Sequence, residues 1–528
     1  MDCRGRAEKL GSPARASAHS STLKRRTPLW ILCGVVFCTA FAACAPTPDA
    51  VVPDRHVLTI ALPETDVGLG QLINTFTLEG LTQVNVGLDG RARPRLAESW
   101  EWENNNLTLR LRLRQDVVFH DGTKFTARVA ADALSRAIAQ PGNSALYPSL
   151  TAIKTVRPDS DYELVIDLSE RSAFLPEELD LPLSIGPNNV GTGAFRLVKR
   201  GDEGAELERF DKYYLTPGNV DEIVIKPFDT LRTAWTRLLR GEVDMVTDVP
   251  PEALEFVQND NIQVLPYART YQFLVAFNEK HPVLRNPVVR RALNTAIDRQ
   301  ALITKVLQGQ GQPASGPLWP KHWAYDTTVT PYTFDPHAAS MLLDDAGFAK
   351  KSSRGDSVPA RFRFTCLLPV DFSLQERIGL EIQKQLYDVG VDMQFEVVPF
   401  QEYDARIREG RFDAVLMDSI SGPTLGRPFI FWRAREHFTG LNVFGYENPE
   451  AERLYQVLVN STNEAAIRSA TSRLEREFLD DPPALFLVWN QRARAVNRRF
   501  QVTESPRDPL FTIWQWTENT DRQTVSTQ

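Results

Sequence analysis

Cysteine is scarce in this chain: five in 528 residues, and four of them (Cys3, Cys33, Cys38 and Cys44) fall within the first 44 positions. The body of the chain retains Cys366 alone. An intrachain disulfide is thereby excluded there, and a core of ordinary size must stabilise the fold. Histidine is also sparse. Its seven copies are scattered, with no i, i+4 pair of the kind a zinc hydrolase carries on a helix. With 29 glycines and 35 prolines, a collagen-like or low-complexity chain is excluded. There is no surplus of positive charge: the net charge is −7, which argues against a nucleic-acid partner, whose phosphates require a basic face. Nor is there an uninterrupted apolar run of the ~20 residues that a membrane-spanning helix needs.

What is present is the balance of a soluble globular protein, 42% hydrophobic and 24% charged. At ~100–200 residues per domain the length allows two to four domains. Charge is unevenly placed. Residues 1–43 hold seven Lys/Arg and two Asp/Glu, so the remainder is more acidic than the whole. Lys24-Arg25-Arg26 precedes an apolar run over 29–43, which suits the hydrophobic part of a secretory signal peptide spanning 1–43. Ala42-Ala43 before Cys44, with Phe41 at the −3 place, resembles a bacterial lipoprotein processing site. That resemblance makes Cys44 the lipidated first residue of a linker over 44–56. Left uncut, the same run is an N-terminal anchor.

Beyond the linker, apolar patterning predicts a mixed α/β chain. Strands are expected over 56–62, 107–113, 162–168, 222–226, 271–277 and 484–489. Helices are expected over 126–138, 232–240, 288–297, 334–347, 374–389 and, as one long element, 449–479. Leu107, Leu109, Leu111 and Leu113 alternate with polar residues and give one buried face; the intervening arginines are expected on a solvated outer face. Trp100 and Trp102 share a face and read as packing residues, and His120 as a hairpin residue rather than a ligand. No repeat of solenoid period occurs.

Several segments stand in the order found in one family. These are Pro94-Arg-Leu-Ala-Glu-Ser-Trp100, Asp116-Val-Val-Phe-His-Asp-Gly-Thr123, Gly191-Thr-Gly-Ala-Phe195 and Gly241-Glu-Val-Asp244. Phe277-Asn278, Val289-Arg-Arg-Ala-Leu-Asn-Thr-Ala-Ile-Asp298, Phe334-Asp-Pro336 with Ala346-Gly347, and Phe412-Asp413 follow. In this register the chain resembles, over about 57–500, the family 5 extracellular solute-binding proteins, the peptide- and nickel-type binding components of ABC importers.

The resemblance implies a two-lobed α/β periplasmic-binding-protein fold built from three regions with a hinge. The first is discontinuous, expected at 51–85, 190–268 and 480–520. The second is placed at 86–189 and the other lobe at 269–479. It further implies a lipid-anchored monomer on the periplasmic face of a bacterial membrane, or on the outer surface of a Gram-positive cell. That monomer would deliver a small solute, most readily an oligopeptide or dipeptide, to ABC permease subunits, with no cofactor and no catalysis. A non-peptide or anionic solute, a ligand-sensing receptor and, more remotely, a hydrolase are the alternatives. No Gly-x-Ser-x-Gly elbow supports the last.

In the family's peptide binders, the loop after the Phe-Asp strand holds an acid that pairs with the peptide's ammonium. Here Gly422 falls at that place and Asp418 lies four residues earlier. Arg427 in the same loop could meet a carboxylate or phosphate bidentately, or face solvent. Trp432 and Trp489 offer flat apolar walls for a ligand or for the core, and Asn442 a ligand or loop-structural amide. Asn278 is expected to bond backbone at the crossover between lobes.

Overall fold

A computed structural model describes residues 55–63, 68–84, 87–350, 360–370, 372–422, 424–433 and 441–519. The expected signal peptide and Cys44 lie outside the described residues.

An eleven-stranded sheet runs through the molecule. At one end Val57–Pro63 lies parallel to Glu222–Phe228 and Met245–Val249, and Gly204–Arg209 and Phe195–Gly201 follow antiparallel. At the other end Phe362–Pro369 lies parallel to Val391–Val398, with the helix Ser373–Asp388 as their crossover, and to Ala414–Ile420. Two long antiparallel strands, Ile262–Phe277 and Ala484–Asn497, join the two ends.

The alternation on those joining strands explains why they are buried. Phe273, Val275 and Phe277 enter one core, and Leu274 and Ala276 enter another on the opposite face. Helices and loops cover both faces, so this half of the strand reads as one continuous apolar run. A separate four-stranded antiparallel sheet, ordered Ala97–Glu103, Thr108–Leu113, Glu163–Leu168 and Ile153–Pro158, has its own core of Leu109, Leu111, Leu113, Phe125 and Ile166. Trp100 and Trp102 pack against that core. On the same sheet Arg110 turns outward to Glu103 and Asp159, each at 2.7 Å.

The joining strands change partners along their length. Residues 262–268 pair with 491–497, and 272–276 pair with 484–489; the register breaks between Ala268 and Gln272. Met245–Val249 flanks the first half, and Ala414–Ile420 flanks the second. Such a break leaves residues unpaired and increases local twist, which is where a sheet bends.

Three elements differ from the sequence expectation. Both joining strands extend well past their apolar halves, to 262 and to 497. The helix expected over 449–479 is two helices, Pro449–Asn460 and Glu464–Asp480. The Asn463 side chain accepts from Ala466 N at 2.9 Å and so starts a new helix, while Ser461 Oγ donates back to Val457 O at 2.7 Å.

Glycines 191 and 193 carry a close backbone crossing. A β-carbon on Gly191 would lie 1.9 Å from Thr77 O, and one on Gly193 2.4 Å from Phe76 O. His120 is bound at the same crossing, its Nε2 2.9 Å from Gly193 O, and burial holds its ring below the usual histidine range. Asn278 Nδ2 donates to Phe412 O at 2.7 Å and Gly410 O at 3.2 Å, locking the end of one joining strand.

Candidate functional site

A cavity of about 1350 Å³ opens where the joining strands break register. Its wall draws on both ends of the large sheet and on the segment that carries the small sheet. Tyr267, Arg269 and Tyr271 come from one joining strand, Asn490, Arg492 and Arg494 from the other. Asp418 comes from the strand Ala414–Ile420 and Asp248 from Met245–Val249.

The polarity of this wall follows from strand periodicity. Ala493 and Ala495 point into a core, so Arg492 and Arg494 must point the other way, into the cavity. Buried arginines require partners, because an unpaired buried charge costs several kcal/mol. Arg494 makes a bidentate pair with Asp508 at 2.7 and 2.6 Å and lies 4.4 Å over the Tyr267 ring. Arg492 faces Asp248 at 3.2 Å. Arg269 lies 3.3 Å from Asp418 and 3.8 Å over Tyr271. Arg95 donates to Glu79 at 2.6 Å; the same carboxylate accepts from Thr192 Oγ1 at 2.8 Å and Tyr213 OH at 3.0 Å.

Arg427 and Asp418 both line the cavity. Arg427 Nε donates to Leu146 O at 2.7 Å, its guanidinium stacks 4.3 Å over Tyr147, and Asp180 stands 3.8 Å away. Burial pushes the Asp180 and Asp418 carboxyls up, against the pull of Arg427 and Arg507 on one and of Arg269 and Arg492 on the other. Gly422 sits at φ 67°, and a β-carbon there would be 2.7 Å from Arg427 Cδ. The Arg427 stem therefore occupies the room that a side chain at 422 would need.

The remaining three sequence candidates do not line the cavity. Trp432 packs with Phe431, Phe444, Tyr446 and Phe486 in the aromatic core. Asn442 Nδ2 donates to Tyr446 O at 2.7 Å and Arg433 O at 3.0 Å, while its Oδ1 accepts from Gly445 N at 3.0 Å, knotting a loop. Trp489 is buried edge-on against Trp319, with ring centroids 5.1 Å apart; its neighbour Asn490 reaches the cavity. Missed from the sequence were Glu79, Arg95, Asp248, Arg269, Asn490, Arg492, Arg494, Arg507 and Asp508. The alternation Arg492-Ala-Arg494-Ala495 was the available signal.

Among the described residues no cluster of three or more His, Cys, Asp or Glu is arranged to hold a metal ion. Cys366 is buried in the core, which pushes its thiol up to about 12. Among the described residues, no helix is long and apolar enough to cross a membrane.

A large, arginine-lined cavity at the register break of the sheet is a binding geometry, and known proteins of like sequence and shape are binding proteins. The oligopeptide-binding protein AppA of Bacillus subtilis is 23% identical over 80% of this chain and 82% of its own length. The glutathione-binding protein GsiB of Pectobacterium atrosepticum is 24% identical over 93% of this chain and 98% of its own. Among solved structures, NikZ from Campylobacter jejuni in complex with Ni(L-His) superposes with a TM-score of 0.73 at 20% identity, covering 88% of this chain and all of the other. The family model for the bacterial extracellular solute-binding proteins, family 5, matches residues 91–435. With the motif order, the two-lobed fold and the cavity in agreement with that match, this chain belongs to the family 5 bacterial extracellular solute-binding proteins.

Proposed function

We propose that the chain is the capture component of an ABC importer, closing two lobes over a small solute and handing it to permease subunits without covalent chemistry. The observation that carries this reading is the cavity at the register break of the two joining strands. Rotation about two strands is a low-cost hinge, and a site at that hinge is open in one state and sealed in the other. Peptides are the natural first ligands to test, since AppA is an oligopeptide-binding protein and a relative of this chain.

The test is a thermal-shift panel of short peptides and small organic solutes, paired with small-angle scattering. A true ligand at ~100 times its dissociation constant adds about 2.7 kcal/mol to stability. It therefore raises the melting temperature and contracts the protein. A full panel that does neither overturns the capture role.

The same reading places the mature protein on a membrane as a monomer, through a lipid on Cys44. The lobe boundaries proposed are 51–85 with 190–268 and 480–520, then 86–189, against 269–479. A thiol is needed to form the thioether of a bacterial lipoprotein, so Cys44→Ser is expected to lose the acyl mass and leave the membrane fraction. Cys44→Ser protein that stays membrane-bound with its leader intact identifies an uncleaved anchor instead.

A further inference from the structure

The chain is acidic overall, but the wall of its cavity is not. Seven arginines line it against five carboxylates, with no lysine or histidine. Each carboxylate already faces a guanidinium: Glu79 has Arg95, Asp180 has Arg427, Asp248 has Arg492, Asp418 has Arg269 and Asp508 has Arg494. A ligand ammonium entering this space meets acids that each already have a cation within 4.0 Å.

Arg507 is in a different position. It lines the cavity, and among the described residues no carboxylate lies within 4.0 Å of it. Its Nη2 reaches only the Thr270 hydroxyl, at 3.4 Å. Burial, helped by the nearby Arg427 guanidinium, draws its pKa down to about 10 against the more distant pull of Asp180 and Asp508, the direction expected for a buried cation with no close ion pair.

A second observation points the same way. Asn490 is 2% exposed, lines the cavity, and has no hydrogen-bond partner on either Nδ2 or Oδ1. Buried amides are nearly always satisfied, so an orphaned one facing a cavity marks a place for a ligand's polar atoms. Asn490 and Arg507 belong to one locus. Residue 490 lies opposite the stretch 269–271, where the two joining strands do not pair with each other, and Arg507 reaches Thr270 within that stretch.

We propose that the cavity takes its solute by an oxyanion, a carboxylate or a phosphate monoester, seated on Arg507 with the Asn490 amide donating, and that it does not read a ligand ammonium. This rests on the capture reading above and names the class of solute captured. A peptide qualifies through its C-terminal carboxylate and not through its N-terminus. A guanidinium suits either anion, since both present two oxygens to its planar fork.

The experiment offers the full chain, purified in detergent, four pools, with retained compounds read by mass spectrometry. Three are one random tetrapeptide pool with free termini, N-acetylated, or C-terminally amidated; the fourth contains sugar and glycerol phosphates. Expected is equal retention of the free and N-acetylated peptides and about tenfold less of the amides, or retention of the phosphates alone. The first outcome assigns a carboxylate and the second a phosphate. About tenfold loss on N-acetylation, or amides held as well as acids, overturns the proposal. Retention of nothing overturns the capture reading instead. Arg507→Gln and Asn490→Asp are each expected to lower retention of the anion about tenfold, with the melting temperature reporting that they fold. Folded variants that retain the anion like the parent also overturn it.

Discussion

Replacing Trp432 by alanine is expected to cost about 3–5 kcal/mol of stability while leaving solute affinity within about twofold. The ring is buried, with its centroid 5.2 Å from that of Phe444, 6.0 Å from Phe486 and 6.3 Å from Phe431. Truncation removes the contacts of an indole on several sides at once, and rings that pack edge-to-face cannot collapse into the space without losing their own geometry. Against a total stability of ~5–15 kcal/mol for a typical domain, that loss is a large fraction. Denaturant unfolding with the midpoint and slope both fitted measures it. A variant of unchanged midpoint whose solute affinity has collapsed would instead make Trp432 a ligand wall and sink this assignment.

The second large effect is a fall in stability as pH rises. Glu177 and Glu178 lie where the segment bearing the small sheet meets the opposite lobe. Glu177 Oε1 accepts from Trp323 Nε1 at 3.2 Å, and Glu178 Oε2 accepts from Ser149 N at 2.7 Å. Both are buried, and burial pushes each carboxyl up to about 8. The Trp323 and Leu425 hydrogen bonds oppose this for Glu177, with a smaller pull from Arg91, and the Ser149 amide opposes it for Glu178, followed by Arg427. Unfolded, a glutamate titrates near 4.3. Between that pH and about 8 the folded chain keeps protons that the unfolded chain has released. Stability therefore declines with rising pH across this window, by up to roughly 1.4 kcal/mol per unit for each group, and levels off above it. Glu279 and Glu475 are also raised to about 8 by burial and add to the same slope. Melting temperatures from pH 5 to 9 should fall accordingly. The Glu177→Gln, Glu178→Gln double variant should be close to the parent at pH 5 and more stable at pH 8.5. A parent whose melting temperature rises from pH 5 to 8 contradicts this assignment.

The cavity and the core were not equally legible, and the difference is physical. Apolar periodicity reports which side of an element is shielded from water, so strands with one or both faces in a core appear directly. Leu109, Leu111 and Leu113 marked one, and the apolar run from Tyr271 to Phe277 another. Glycines 191 and 193, which stand in one of the ordered motifs, sit at a crossing where no β-carbon fits. The break in the long C-terminal helix was hidden, because Ser461 and Asn463 are common on exposed helix faces and only their bonding shows them to be a stop and a start.

Residues at the cavity follow no such rule. Arg269, Arg492 and Arg494 interrupt the apolar pattern and so seemed to end two strands that in fact continue, because a cavity wall is buried from bulk solvent yet polar. By itself the sequence determined the family, the mixed α/β architecture and the scarcity of groups for metal or disulfide chemistry. Those conclusions depend on residue types and order. Only the tertiary structure decided which charges meet. Arg507, Thr270, Asp180 and Arg427 come from four separate stretches of chain, and no spacing along the sequence encodes that the fold gathers them around one cavity while giving Arg507, among the described residues, no carboxylate within 4.0 Å.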